Sequence, residues 1–162
     1  MFEKFGEFDS AEEINRAAAA QLKEGDEEAI FAIAKENGID KEDAEDFIDG
    51  LVDELVTPLM AAYGKLAVEE AELKPYEIME DWFTYIKQRC AKDPSMAAAV
   101  RRKGKSLKGC LAEIMKWSFK NAKPVPDDIK KACGITYDVR LGIPGMATAK
   151  HLITMYYKEV KM

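Results

Sequence analysis

The sequence predicts an all-α protein, a compact multi-helix single domain spanning residues 1–162 with at most one short β-hairpin near residues 135–143. Three observations carry that prediction. Helix-capping residues recur at the heads of apolar stripes spaced by three and four. Glycines close those stripes at Gly25, Gly38, Gly104 and Gly134. Runs that alternate apolar and polar, as half-buried strands do, are nearly missing.

Ser10 and Glu13 have capping-box spacing, and the helix they open runs through Ala17–Ala20 to Lys23. Asp26 can cap a second helix, Glu27 to Asn37, with Ala29, Ile30, Ile33 and Ala34 on one face. Asp40 can cap a third. Its stripe reads Ala44, Phe47, Ile48, Leu51, Val52, Leu55, Val56, Leu59, Tyr63 and Leu66, and Pro58 predicts a kink or break near Val56-Thr57. Pro75 suits the first turn of a fourth helix, whose apolar face is Ile78, Met79, Trp82, Phe83, Ile86 and Cys90. Asp93-Pro94 is a cap followed by an N1 proline, opening a short helix from Ser95 to about Lys103. Ser106 can cap the next, with Leu107, Cys110, Leu111, Ile114, Met115 and Phe119 facing inward. A loop with two prolines follows, then a short helix from Asp127 to Cys133. After the one extended candidate, Pro144 starts a last helix with Met146, Ala149, Leu152, Ile153, Tyr156 and Val160 on one face. No repeat of fixed period is visible.

Charge is distributed unevenly. Residues 1–81 hold 24 acidic and 7 basic side chains, a net of −17, and residues 82–162 hold 6 acidic and 17 basic, a net of +11. The chain therefore has an acidic half and a basic half, and the whole-chain value of −6 conceals both. Either the halves neutralise each other inside the fold, or each presents a field that attracts partners of the opposite sign.

Catalytic and metal chemistry find little to build on. His151 is the one histidine, and Cys90, Cys110 and Cys133 are far apart, so no zinc pattern, no native disulfide and no cofactor is expected. Asp40, Asp43, Asp46 and Asp49 recur every third residue without the alternation or the glycine of a calcium loop, and read as a solvated acidic face. Gly104-Lys105-Ser106 ends like a phosphate loop but lacks the upstream glycine and the preceding strand. The chain is not expected to be an enzyme. The opening residues lack an apolar signal segment and no stretch is apolar enough for a membrane span, so a bacterial cytoplasm is the expected setting and no membrane is a partner.

Binding finds more. Arg101, Arg102, Lys103, Lys105 and Lys108 crowd a helix end and the next helix start, followed by Lys116, Trp117 and Lys120. Such a turn can offer cationic groups and free backbone N–H groups to phosphates, or to the carboxylates of an acidic protein. The plain alternative is a basic helix end stabilised by its dipole. On the acidic side, Asp43, Asp46, Asp49 and Asp53 are the candidates, placed on the polar side of the stripe carrying Phe47, Leu51 and Leu55. If neither charged surface binds, Trp117, Tyr137 and Tyr157 are the first apolar candidates.

Residues Glu13–Leu22, Asn37–Asp46, Val100–Leu111 and Gly142–Gly145 resemble the PcfK-like family, encoded by conjugative and integrative elements of Firmicutes and related gut bacteria. The resemblance covers roughly residues 10 to 157 and brings no catalytic residues with it. Part of that family is described as anti-CRISPR proteins that inhibit the effector nuclease of type II systems. The resemblance therefore implies a non-catalytic inhibitor from a mobile genetic element that binds such a nuclease, with or without its guide RNA. The alternative is a nucleic-acid-binding accessory protein of a conjugative element, using the basic half.

Overall fold

The structure is a computed structural model and describes residues 5–158; Val160, expected on the last helix, lies outside them. Helix takes up 68% of the described residues, well over half as the capping pattern predicts. The described helices are α1 (Ala11–Glu24), α2 (Glu27–Glu36), α3 (Lys41–Ile48), α4 (Pro58–Leu73), α5 (Ile78–Lys92), α6 (Pro94–Arg101), α7 (Leu107–Asn121), α8 (Asp127–Ala132) and α9 (Met146–Lys158).

The predicted caps do most of the delimiting. Ser10 Oγ accepts from Glu13 N, while the Glu13 carboxylate reaches one residue further back than a standard capping box, to Asp9 N. Asp26 caps α2 through Ala29 N and Ser106 caps α7 through Gly109 N. Gly25 and Gly38 stop α1 and α2 with φ of 74° and 67°, a region costly for residues with a Cβ. At Asp40 the side chain makes no cap bond, although α3 begins where expected.

Asp93 caps α6, accepting from Ser95 N and Met96 N through one oxygen and pairing with Arg89 and Lys158 through the other. The Lys158 bond, foremost, holds its carboxyl well below the usual carboxylate range. A depressed folded-state pKa contributes stability that is complete above the unfolded value and is lost as pH falls through the folded one. Asn can still cap, so Asp93→Asn isolates the charge. Its melting temperature should fall below wild type above pH about 5, and the gap should shrink as pH drops below about 4. Thermal melts across that range check this, and a gap independent of pH would contradict it.

Several boundaries differ from the sequence reading. The long third stripe breaks earlier than Pro58 alone dictates: α3 ends at Ile48, Gly50 takes φ 76°, and residues 49–57 run non-helical. Pro58 is not a kink but the first residue of α4, with Thr57 Oγ1 accepting from Met60 N. The break moves Leu51 and Val52 off the helix and onto the surface, while Leu55 and Val56 stay buried. Pro75 lies in a loop, and α5 begins at Ile78 behind Glu77, which has φ 52°. Met115 and Phe119, expected inside, are exposed. Met146 is exposed as well, and Tyr157 rather than Met146 completes the buried face of α9.

The core lies in two clusters joined by α4. Ile14, Ala18, Ile30, Ile33, Phe47, Leu55 and Ala61 form one, beneath the acidic helices. Leu66, Trp82, Phe83, Ile86, Met96, Val100, Leu111, Ile114 and Ile153 are among the residues of the other. Adjacent residues Ala61 and Ala62 point to different clusters, so α4 is the shared wall.

The β content is smaller than a conventional hairpin. β1 (Lys123–Pro124) pairs antiparallel with β2 (Arg140–Leu141), placing Lys123 opposite Leu141 and Pro124 opposite Arg140. The partner of the predicted extended segment thus lies across α8, whose residues are all outside the core. Gly142 fixes this arm: a Cβ there would come within 2.2 Å of the Ser118 carbonyl oxygen of α7.

Candidate binding surfaces

The basic turn between α6 and α7 is built largely from the inside. Arg101 closes α6 and is 1% exposed. Its guanidinium donates to Asn37 Oδ1 at 2.6 Å, to the Phe8 carbonyl at 3.3 Å and to the Ala61 carbonyl at 3.5 Å. Burial lowers its pKa to about 10, against the pull of the Glu7, Glu69 and Glu13 carboxylates, so it stays protonated at neutral pH. Expected as a contact residue, Arg101 is instead the buried tie between the N-terminal layer, α4 and α6.

Lys65 and Glu69 support the turn from α4. Both lie on its buried side, one helical turn apart. Lys65 Nζ donates to the Arg102 carbonyl at 2.8 Å and the Lys105 carbonyl at 2.6 Å, and pairs with Glu7 Oε1 at 3.1 Å. Desolvation lowers its pKa, opposed by the carboxylates of Glu69 and Glu7. Glu69 Oε2 accepts from Leu107 N at 2.5 Å, so a built-in carboxylate already occupies the positive end of α7. Desolvation raises the Glu69 pKa, opposed by that bond and by Lys65.

The remaining donors of the turn are also engaged. Lys103 N donates to Asp9 Oδ1, Lys105 N to the Arg102 carbonyl, and Ser106 N to Tyr156 Oη. Lys105 Nζ donates to the Tyr156 carbonyl at 2.6 Å and sits 4.7 Å from that ring's centre. Most of the N–H groups expected to receive phosphate at this turn are therefore engaged by the protein itself. An open cavity of about 500 Å³ lies beside the turn, lined by Glu7, Glu69 and Glu72 as well as Lys65, Lys105 and Lys108. Its alternating signs favour neither an anion nor a cation.

What faces outward is narrower than the sequence suggested and continues further along the chain. Arg102, Lys103, Lys108, Lys116 and Lys120 are exposed, and Trp117 is half-buried. Lys116 pairs with Glu113 at 2.7 Å on the open surface, a contact worth only tenths of a kcal/mol. Of the apolar candidates, Tyr137 is exposed, whereas Tyr157 is 1% exposed and belongs to the core.

On the acidic side, α3 carries Asp43, half-buried, and Asp46, exposed. Asp49 is the exposed C-cap of α3, and Asp53 sits in the non-helical 49–57 segment, so the four do not share one helical face. The chain's fold-back nevertheless gathers three of them. Asp43, Asp46 and Asp53, together with Glu54, line an open groove of about 440 Å³ that also takes in Val52, Leu55, Val56 and Met60.

The two fields meet at the buried Arg101 and around the cavity beside the basic turn, but no surface ion pair between described side chains joins them. Of the six ion pairs between described side chains, none joins residues 5–81 to residues 82–158. Reactive groups are sparse on both sides. His151 is exposed on α9, and burial pushes the Cys90 and Cys110 thiols up to about 11 and about 12, leaving them neutral and unreactive at physiological pH. Among the described residues no three His, Cys, Asp or Glu side chains come together as a metal set. No described helix is long and apolar enough to cross a membrane.

Sequence reasoning overlooked Lys65, Glu69 and Asn37. A signal was present: Ala61, Ala62, Lys65, Leu66 and Glu69 follow one helical period, so a lysine and a glutamate stand where apolar residues belong. Comparison with known proteins finds no matching family model, no similar curated protein and no similar solved structure.

Proposed function

We propose that this chain is a non-catalytic inhibitor of a type II CRISPR effector nuclease, carried by a mobile genetic element and acting in the cytoplasm of its bacterial host. The observation that carries the reading is charge segregation: an acidic face with a carboxylate-lined groove, to which no ion pair between described residues brings a side chain of the basic half. Such nucleases hold the guide–target duplex in a positively charged channel, and a folded acidic surface competes for it without needing any cofactor. The acidic face is favoured over the basic turn because Arg101 and Lys105 are spent on internal bonds. The sequence resemblance to PcfK-like proteins points the same way.

The test measures target cleavage by a purified type II effector with its guide RNA, against increasing amounts of this protein. Wild type should inhibit. Asp46→Lys with Asp53→Lys and Glu54→Lys should raise the required concentration by about tenfold or more, each exposed change costing within about 0.5 kcal/mol of stability. Inhibition should also weaken as salt rises. Undiminished inhibition by the folded triple variant would remove the acidic groove from the contact. A second reading, a nucleic-acid-binding accessory protein of a conjugative element, is favoured by the exposed lysines of α7.

A further inference from the structure

We infer that the outer face of α7 is a binding strip for single-stranded nucleic acid. This deepens the nucleic-acid reading and is independent of nuclease inhibition. α7 buries Leu107, Leu111, Ile114 and Ser118 on one side. On the other, Lys108, Met115, Lys116, Phe119 and Lys120 follow helical spacing, and all are exposed. Phe119 is 80% exposed, the most exposed of the described large apolar side chains, and neither core cluster includes it. Met115 stands one turn before it, and Lys116 and Lys120 lie one turn apart, about 6 Å along the axis, on the neighbouring exposed positions.

The arm docked against Ser118 carries two further cations, one of them paired, since Arg140 Nε lies 3.4 Å from Asp138 Oδ2. Gly142 lies against the Ser118 carbonyl, which brings β2 beside the last turns of α7. Lys123 and Arg140 are both outside the core on that two-stranded ladder, in neighbouring pairs. Within α7 itself, Glu113 is the one acidic residue, and it is held by Lys116.

The choice of occupant follows from the mixture. Lysines in a row suit any polyanion. An exposed ring among them adds nothing on a duplex, whose bases are stacked away, but gives an unstacked base a platform. A single strand offers phosphates and bare base faces together, and stacking on a ring tolerates any sequence. Lys103 N, Ser106 N and Leu107 N of the preceding turn are already bonded, and the strip itself presents side chains, which makes binding here separable by substitution.

The experiment titrates the full chain against a labelled mixed-sequence DNA strand of about 15 nucleotides, its duplex form, and a polyglutamate peptide, reading anisotropy at low salt. The single strand should bind more tightly than either competitor. Phe119→Ala should weaken it by about 5- to 150-fold without changing the salt slope, while Phe119→Trp retains it. Lys116→Glu with Lys120→Glu should weaken it and lower the slope of log affinity on log salt by about 0.7 for each phosphate no longer neutralised. All these side chains are exposed, and circular dichroism should show unchanged helix in each variant. Single-strand binding untouched by Phe119→Ala would overturn this site while leaving the broader nucleic-acid reading intact. Absence of binding to either DNA form would overturn both, and tighter binding of polyglutamate would assign the strip to an acidic protein instead.

Discussion

Replacing Arg101 by alanine is expected to cost about 3–5 kcal/mol of folding stability, the usual penalty for removing one partner of a buried charged network. For a domain of ordinary stability, about 5–15 kcal/mol, that is roughly a fifth of the total or more. The reason is what stays behind. Asn37 Oδ1 and the Ala61 carbonyl, both buried, and the part-buried Phe8 carbonyl lose their shared donor. The Glu7, Glu13 and Glu69 carboxylates lose a compensating charge. Arg101→Glu should not fold at all, because it adds a carboxylate to that same site. Arg102→Glu, one residue on and exposed, should remain within about 0.5 kcal/mol of wild type. Urea unfolding of Arg101→Ala and Arg102→Glu measures the contrast. Equal, small effects would mean that Arg101 is a surface residue after all. The result also bears on function: lost inhibition in an Arg101 variant reports lost structure, so only Arg102, Lys103 and Lys108 can test the turn as a contact.

The difference between those neighbouring arginines marks where sequence reading stopped. Local signals were legible because they are local. Ser10, Asp26, Asp93 and Ser106 cap the helices they were expected to cap, since a cap bond spans only two or three residues. The two-part charge pattern also passed from sequence to surface, because charged side chains stay solvated unless paired. What failed depended on long-range geometry. Arg101 is buried by Phe8, Asn37 and Ala61, which lie 40 or more residues away in sequence. Phe119 fits an apolar stripe as well as Ile114 does, yet α7 turns that side to solvent. Asp49 and Asp53 lost their helical spacing because Gly50 ends α3 and Pro58 begins a new helix. Among the candidate contact residues, Arg102, Lys103, Lys108, Lys116 and Lys120 are exposed as expected, and Arg101 is the one that long-range packing buries.

Gly64→Ala should destabilise the protein by about 1–3 kcal/mol or more, although the same change in most helix interiors is favourable by about 1 kcal/mol. The position decides the sign. A Cβ at Gly64 would lie 2.1 Å from the Asn37 carbonyl oxygen and 3.1 Å from Ile39 Cδ1. The closer obstacle is backbone, which cannot turn aside as the end of a side chain can. Gly38 is the reciprocal contact: its own Cβ would meet the Gly64 carbonyl oxygen at 2.2 Å, and its φ of 67° forbids an easy substitution there. The end of α2 and the middle of α4 therefore cross glycine on glycine, and α4 must shift away to admit a methyl group. That shift moves α4, whose Ala61 carbonyl accepts from Arg101, relative to Asn37, the 2.6 Å acceptor of the same guanidinium. The two sites should be energetically coupled. In a double-mutant cycle, Gly64→Ala with Arg101→Ala should cost less than the sum of the single changes, by about 0.5–3 kcal/mol, because each removes part of one interaction. Urea midpoints for the four proteins give the coupling directly. Strict additivity would show that the glycine crossing and the buried arginine are separate devices, and a stabilised Gly64→Ala would show that α4 can move off Asn37 at no cost.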